Sequence, residues 1–129
     1  MPLTPVVKNS TSPKTIDLTG LREMSDNNLT FIKEMLELFV SEMKDHLVLL
    51  HSAIEEENYS QIEYLSHKMK SSITLVSMDI ALLDVLSEME SLAKTNKGKD
   101  TLQQLFIRFE QISQRAIAEA NKELDHMNS

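Results

Sequence analysis

Apolar residues recur every three to four positions over most of this chain, with polar residues filling the gaps. That spacing marks amphipathic helices, each burying one stripe. The longest stripe is Leu29, Ile32, Leu36, Phe39, Val40, Met43, Leu47, Leu50 and Ile54. It predicts a helix from about Asp26 to Glu57, capped by the side-chain oxygen of Ser25 or Asp26. A second flank, Phe31, Met35, Leu38 and Leu49, widens the stripe beyond what one neighbour covers. It either packs under the opening segment or stays open as a docking surface. Ser60-Gln-Ile-Glu63 reads as a capping box for a second helix running to Val76, with Ile62, Leu65, Met69, Ile73 and Val76 inward. The connection near Asn58 is so short that these two helices form an antiparallel hairpin. A third helix is expected from about Asp79 to the stop at Asn96-Lys97-Gly98, with Leu82, Leu86, Met89, Leu92 and Ala93 as its stripe and Val85 beside it. A fourth starts at Asp100 or Thr101, where Thr101-Leu-Gln-Gln104 is again a capping-box pattern. Its inner side is Leu102, Leu105, Phe106, Phe109, Ile112, Ala116, Ala120 and Leu124.

Ahead of these helices, Ile16 to Met24 (IDLTGLREM) makes a short extra helix or turn through Ile16, Leu18, Leu21 and Met24. Residues 1–15 are rich in Pro, Ser, Thr and Asn without an apolar period, and read as a flexible tail or linker, or as a cloning remnant. The expected fold is all-α: an up-down antiparallel four-helix bundle over residues 16–127 with a short extra N-terminal helix.

Composition narrows the function. Of 129 residues, 2 are Gly and 3 are Pro, too little turn punctuation for a β-sandwich, a doubly wound sheet or a Gly-rich phosphate loop. Cysteine is absent, which removes disulfides, thiolate zinc sites and cysteine nucleophiles. A net charge of −7 with scattered basic residues argues against nucleic acid as a partner. No apolar run approaches the ~20 residues of a membrane span, and the opening lacks a signal-peptide pattern. The expectation is a cytoplasmic protein without membrane contact.

Four histidines remain: His46, His51, His67 and His126. His46 and His51, five apart, do not share a helix face. At about 100° per residue, the apolar stripe of the second helix fills a sector of roughly 80°, and His67 lies roughly 165° from its centre. His67 therefore points outward from the middle of a helix. Lys70 and Ser71 lie one turn along the same face, Glu63 and Tyr64 one turn back, and Thr74 two turns along. An imidazole, with an ordinary pKa of about 6.5, is a good nucleophile near neutrality, and an ammonium one turn away can neutralise a phosphoryl group on it. The plain alternative is a solvated histidine with a coincidental lysine neighbour.

The stretch Ser66-His67-Lys68-Met69-Lys70-Ser71-Ser72 resembles the histidine phosphotransfer (HPt) motif of multistep two-component signalling. In that motif a small residue precedes the phosphorylated His, and a Lys three positions on is followed by small residues. The preceding helix and hairpin, FIKEMLELFVSEMKDHLVLLHSAIEEENYSQIEYLSHKMKSS, and the following ALLDVLSEMESLAK resemble the same family. IDLTGLREM looks like the lead-in before such domains at the end of hybrid sensor kinases. The resemblance implies a phosphocarrier and not an enzyme. His67 would take a phosphoryl group from a receiver-domain aspartate and a second receiver would collect it. Lys70 would stabilise the group, and Ser71, Lys68, Thr74 and Tyr64 would contribute to binding. It implies no cofactor or metal on this chain, Mg²⁺ on the partner receiver, and a monomer whose partners are response-regulator receivers or a hybrid kinase. Two positions depart from the pattern: Ser71 and Ser77 stand where the family commonly has Gly.

Three other classes compete. In the dimerising domain of a sensor kinase the phosphorylated His is typically followed by an acidic residue, whereas Lys68 follows His67 here. A di-iron bundle needs two Glu-x-x-His motifs, and Glu123 to His126 supplies one. An inactive HPt-like bundle, acting only as a docking module, has the two Gly-to-Ser departures as its support.

Overall fold

A computed structural model describes residues 15–76 and 81–128. Residues 1–14 of the expected tail, and Ser77 and Asp79, lie outside the described residues. The elements are α1 (Thr19–Met24), α2 (Leu29–Glu55), α3 (Tyr59–Leu75), α4 (Ala81–Ala93) and α5 (Lys99–Met127). The helices α2 to α5 form the four-helix bundle and α1 is the extra N-terminal helix. In the bundle α2 packs on α3 and α5, and α4 packs on α3 and, less extensively, on α5. Antiparallel order is fixed at one end by Lys99, whose Nζ donates to the Glu55 carbonyl at 3.0 Å, and by Gln103, whose Nε2 donates to the Glu55 carboxylate at 2.9 Å.

The expected stripes are the core. Ile32, Leu36, Phe39, Met43, Leu50, Ile62, Leu65, Met69, Ile73, Leu82 and Phe109 are almost fully buried. Leu29 is the exception: it begins α2 and is exposed. The flank divides, with Phe31 and Met35 packed against the core and Leu38 and Leu49 exposed. Of the lead-in contacts Ile16, Leu18 and Leu21 are buried while Met24 is exposed.

The helix starts differ from the sequence reading for local reasons. Asp26 and Asn27 both take the left-handed conformation (φ 55° and 58°), so they turn the chain and neither they nor Ser25 cap α2. Asn28 does, accepting from the Phe31 N–H at 3.1 Å. For α3 the cap is Asn58, which accepts from the Gln61 N–H at 3.3 Å and leaves Ser60 inside the first turn. For α5 it is Gly98, three residues ahead of Thr101, which lies inside the first turn. At φ +92°, with the Leu92 side chain 2.8 Å from where a Cβ would sit, that position requires glycine.

Helix lengths shape the molecule. With 27 residues α2 is about 41 Å long, against about 26 Å for the 17 residues of α3. Beyond the end of α3 the core is completed by the lead-in, whose Asp17 N–H donates to the Val76 carbonyl at 2.8 Å. His46 is buried, whereas His51 is exposed and its ring lies 5.5 Å from that of Phe106.

Candidate functional site

The core-facing side of α3 fixes its opposite side. Ile62, Leu65, Ser66, Met69, Ser72 and Ile73 are buried, so His67 projects into solvent with its side chain 73% exposed. The small Ser66 and Ser72 keep α3 close to the bundle on either side of the histidine.

Lys70 sits one turn along, but its ammonium does not point into solvent. It donates to Oε1 of Glu90, on α4, at 2.8 Å. The other oxygen of Glu90 lies 3.3 Å from His67 Nδ1, long for a hydrogen bond but within reach of one. One carboxylate thus bridges the imidazole and the lysine. Its pKa is held below the ordinary glutamate value, first by the hydrogen bond from Lys70, with partial burial opposing and the charges of Lys70 and His67 adding to the lowering. Glu90 is therefore ionised at neutral pH and can only accept a hydrogen bond. It favours the imidazole tautomer with its hydrogen on Nδ1, leaving the lone pair of Nε2 on the far side of the ring. A ring oriented by one carboxylate, an Nε2 turned away from it and an ammonium within the same cluster suit an attack on an electrophilic phosphorus.

The remaining expected residues fall into two groups. Ser71 and Thr74, with His67, Lys70 and Leu75, form one side of an open cleft of about 620 Å³ whose other side is Gly20, Leu21 and Met24 of α1. The Thr74 hydroxyl is engaged, donating to the Lys70 carbonyl at 2.9 Å, whereas Ser71 is exposed. Lys68 and Tyr64 do not line this cleft. They pair with each other on the flank of α3, the ammonium 3.3 Å from the phenol oxygen and 5.6 Å from the ring centroid.

Glu90 is the site residue that sequence reasoning missed. It stands beside Met89, at the edge of the α4 stripe, in a segment with other acidic residues. The available signal was that α4 must pack against α3, which brings the edge of its stripe towards Lys70.

A family model described as the Hpt domain matches residues 34–127. Comparison with curated proteins gives no match. Among solved structures, the crystal structure of histidine-containing phosphotransfer protein B (HptB) from Pseudomonas aeruginosa PAO1 is similar, with a TM-score of 0.75 and 18% sequence identity over 89% of this chain and 98% of that one. At that identity the likeness is one of fold.

Proposed function

The chain belongs to the Hpt domain family, whose role is phosphotransfer in phosphorelays, and from that premise we propose that His67 is its phosphoryl acceptor, loaded by one receiver-domain aspartate and unloaded by another. The observation that carries the assignment is the cluster His67–Glu90–Lys70 on an otherwise solvent-facing side of α3.

The chemistry follows from the atoms. The Nε2 lone pair forms a bond to phosphorus as the bond from phosphorus to the aspartyl oxygen breaks, and the carboxylate leaves with that electron pair. The ring becomes positive as Nε2 gives its electrons, and the Glu90 carboxylate beside Nδ1 stabilises that charge. Lys70 supplies a cation for the phosphoryl oxygens. Ser71, small and exposed, leaves room for close approach, and Thr74 lines the same cleft. Lys68 and Tyr64 extend the binding surface along the flank. Mg²⁺ belongs to the receiver, whose acyl phosphate it activates. This reading makes the chain a cytoplasmic, monomeric carrier with no ATP chemistry of its own.

The test is transfer of label from phosphorylated receiver domains to the wild-type chain and to His67→Gln. Wild type takes up the label and His67→Gln takes up none, with an unchanged melting temperature because the side chain is exposed. Equal labelling of both proteins refutes the site. A wild type that accepts nothing from a broad panel of receivers leaves a docking module.

A further inference from the structure

The segment that enters α1 is latched to the opposite side of the bundle. The Glu119 carboxylate, on α5, accepts from the Thr15 N–H at 2.7 and 2.9 Å to its two oxygens and from the Ile16 N–H at 3.0 Å. Hydrogen bonds to an ionised acceptor are the stronger kind. Asp17 then bonds to the end of α3 through its N–H, and its carboxylate accepts from the Thr19 N–H at 2.9 Å. At its far end α1 joins α2 through the left-handed pair Asp26 and Asn27. Held at both ends, α1 carries one wall of the cleft beside His67. Met24, 67% exposed, stands on that wall as a large apolar contact. At Gly20, on the same wall, an added Cβ would meet nothing within 4 Å.

We propose that Glu119 is a positioning residue for phosphoryl exchange: by latching Thr15 and Ile16 it sets the α1 wall against His67 and so governs how tightly a partner receiver seats on the imidazole. This rests on the phosphocarrier reading and adds to it a determinant of partner affinity on a different helix from the motif. Glu119 touches no reacting atom. Loosening it changes the encounter with a protein partner and leaves the reactivity of the imidazole alone.

Two phosphoryl donors separate these effects in the full chain. One is a receiver domain loaded with acetyl phosphate, which must dock. The other is phosphoramidate, too small to need the wall. In Glu119→Ala the KM for the loaded receiver rises about fivefold or more while kcat stays within about twofold, the signature of lost binding common to ground and transition states. Phosphoramidate labels the variant at the wild-type rate, and hydrogen exchange at the Thr15–Leu21 amides speeds up. Glu119→Gln, which keeps an acceptor oxygen, falls between. Gly20→Leu, built into open space, folds normally and raises KM by filling the cleft. Faster exchange with an unchanged KM overturns the proposal, as does a matching fall in phosphoramidate labelling or a wild-type KM in Gly20→Leu. A wild type that exchanges with no receiver overturns the phosphocarrier reading itself, whereas an active wild type with indifferent variants overturns this inference alone.

Discussion

In Glu90→Gln the side chain keeps its length and loses its charge at the point where two other side chains meet. Lys70 Nζ lies 2.8 Å from one oxygen and His67 Nδ1 3.3 Å from the other. An amide must divide these roles. Its oxygen goes to the ammonium, which turns its NH₂ towards Nδ1. That NH₂ can only donate, so Nδ1 must become an acceptor and the ring hydrogen moves to Nε2. The nitrogen required for attack then has no free lone pair. Glu90→Ala removes the charge without imposing this tautomer. A unit charge about 4 Å away is worth about 1 kcal/mol in water and about 4 kcal/mol at an effective dielectric constant of 20. Because the His67 side chain is 73% exposed, the lower figure applies. For Glu90→Ala that is a loss of about fivefold in the rate of phosphoryl acceptance. A tautomer error in a buried catalytic triad costs about 10⁴-fold, and in this open site, where the ring can exchange with water, a further loss of roughly tenfold is expected for Glu90→Gln. The assay is the rate of phosphoramidate labelling, with imidazole ¹⁵N shifts reporting the tautomer. If Glu90→Gln reacts as fast as Glu90→Ala, or if the wild-type ring carries its hydrogen on Nε2, the reasoning fails.

Lys70→Ala leaves the melting temperature nearly unchanged, since a partly exposed ion pair contributes about 0.2–1 kcal/mol, but it slows transfer or shortens the phosphohistidine lifetime; unaltered kinetics in a stopped transfer assay would remove Lys70 from the mechanism. The stabilisation from the Lys70–Glu90 pair depends on pH with a definite sign: the carboxyl is held below its ordinary value in the fold, so the contribution is complete above about pH 5 and is lost as pH falls through the lowered value. Urea unfolding of wild type and Glu90→Gln should therefore differ by up to about 1 kcal/mol at pH 7 and converge in strong acid. Phe109→Ala, at a fully buried position, should cost about 3–5 kcal/mol in the same assay.

The sequence made the helices legible because burial here is periodic: the stripes of α2 to α5 are the observed core, and the azimuth of His67 on α3 followed from the same wheel. The caps were less legible. Ser25, Asp26, Ser60 and Thr101 all have the right chemistry, but the cap is set by where the chain leaves its turn. The turns place Asn28, Asn58 and Gly98 there instead. Leu29 fits the stripe and is nonetheless exposed, because periodicity does not say where along a helix its neighbours stop. Glu90 lay furthest out of reach. Its role depends on how α4 is rotated against α3, a property of two helices that neither segment encodes alone. The same holds for Glu119, whose partners are 103 and 104 residues away in the chain.

That separation orders events during synthesis. The α1 wall is made before the α2–α3 hairpin it stands against, and the carboxylate that latches it follows 103 to 104 residues after its partners. Until α5 is made, the segment entering α1 lacks the carboxylate that accepts from the Thr15 and Ile16 N–H groups. The α1 wall can therefore be tied down only once α5 has packed back against α2.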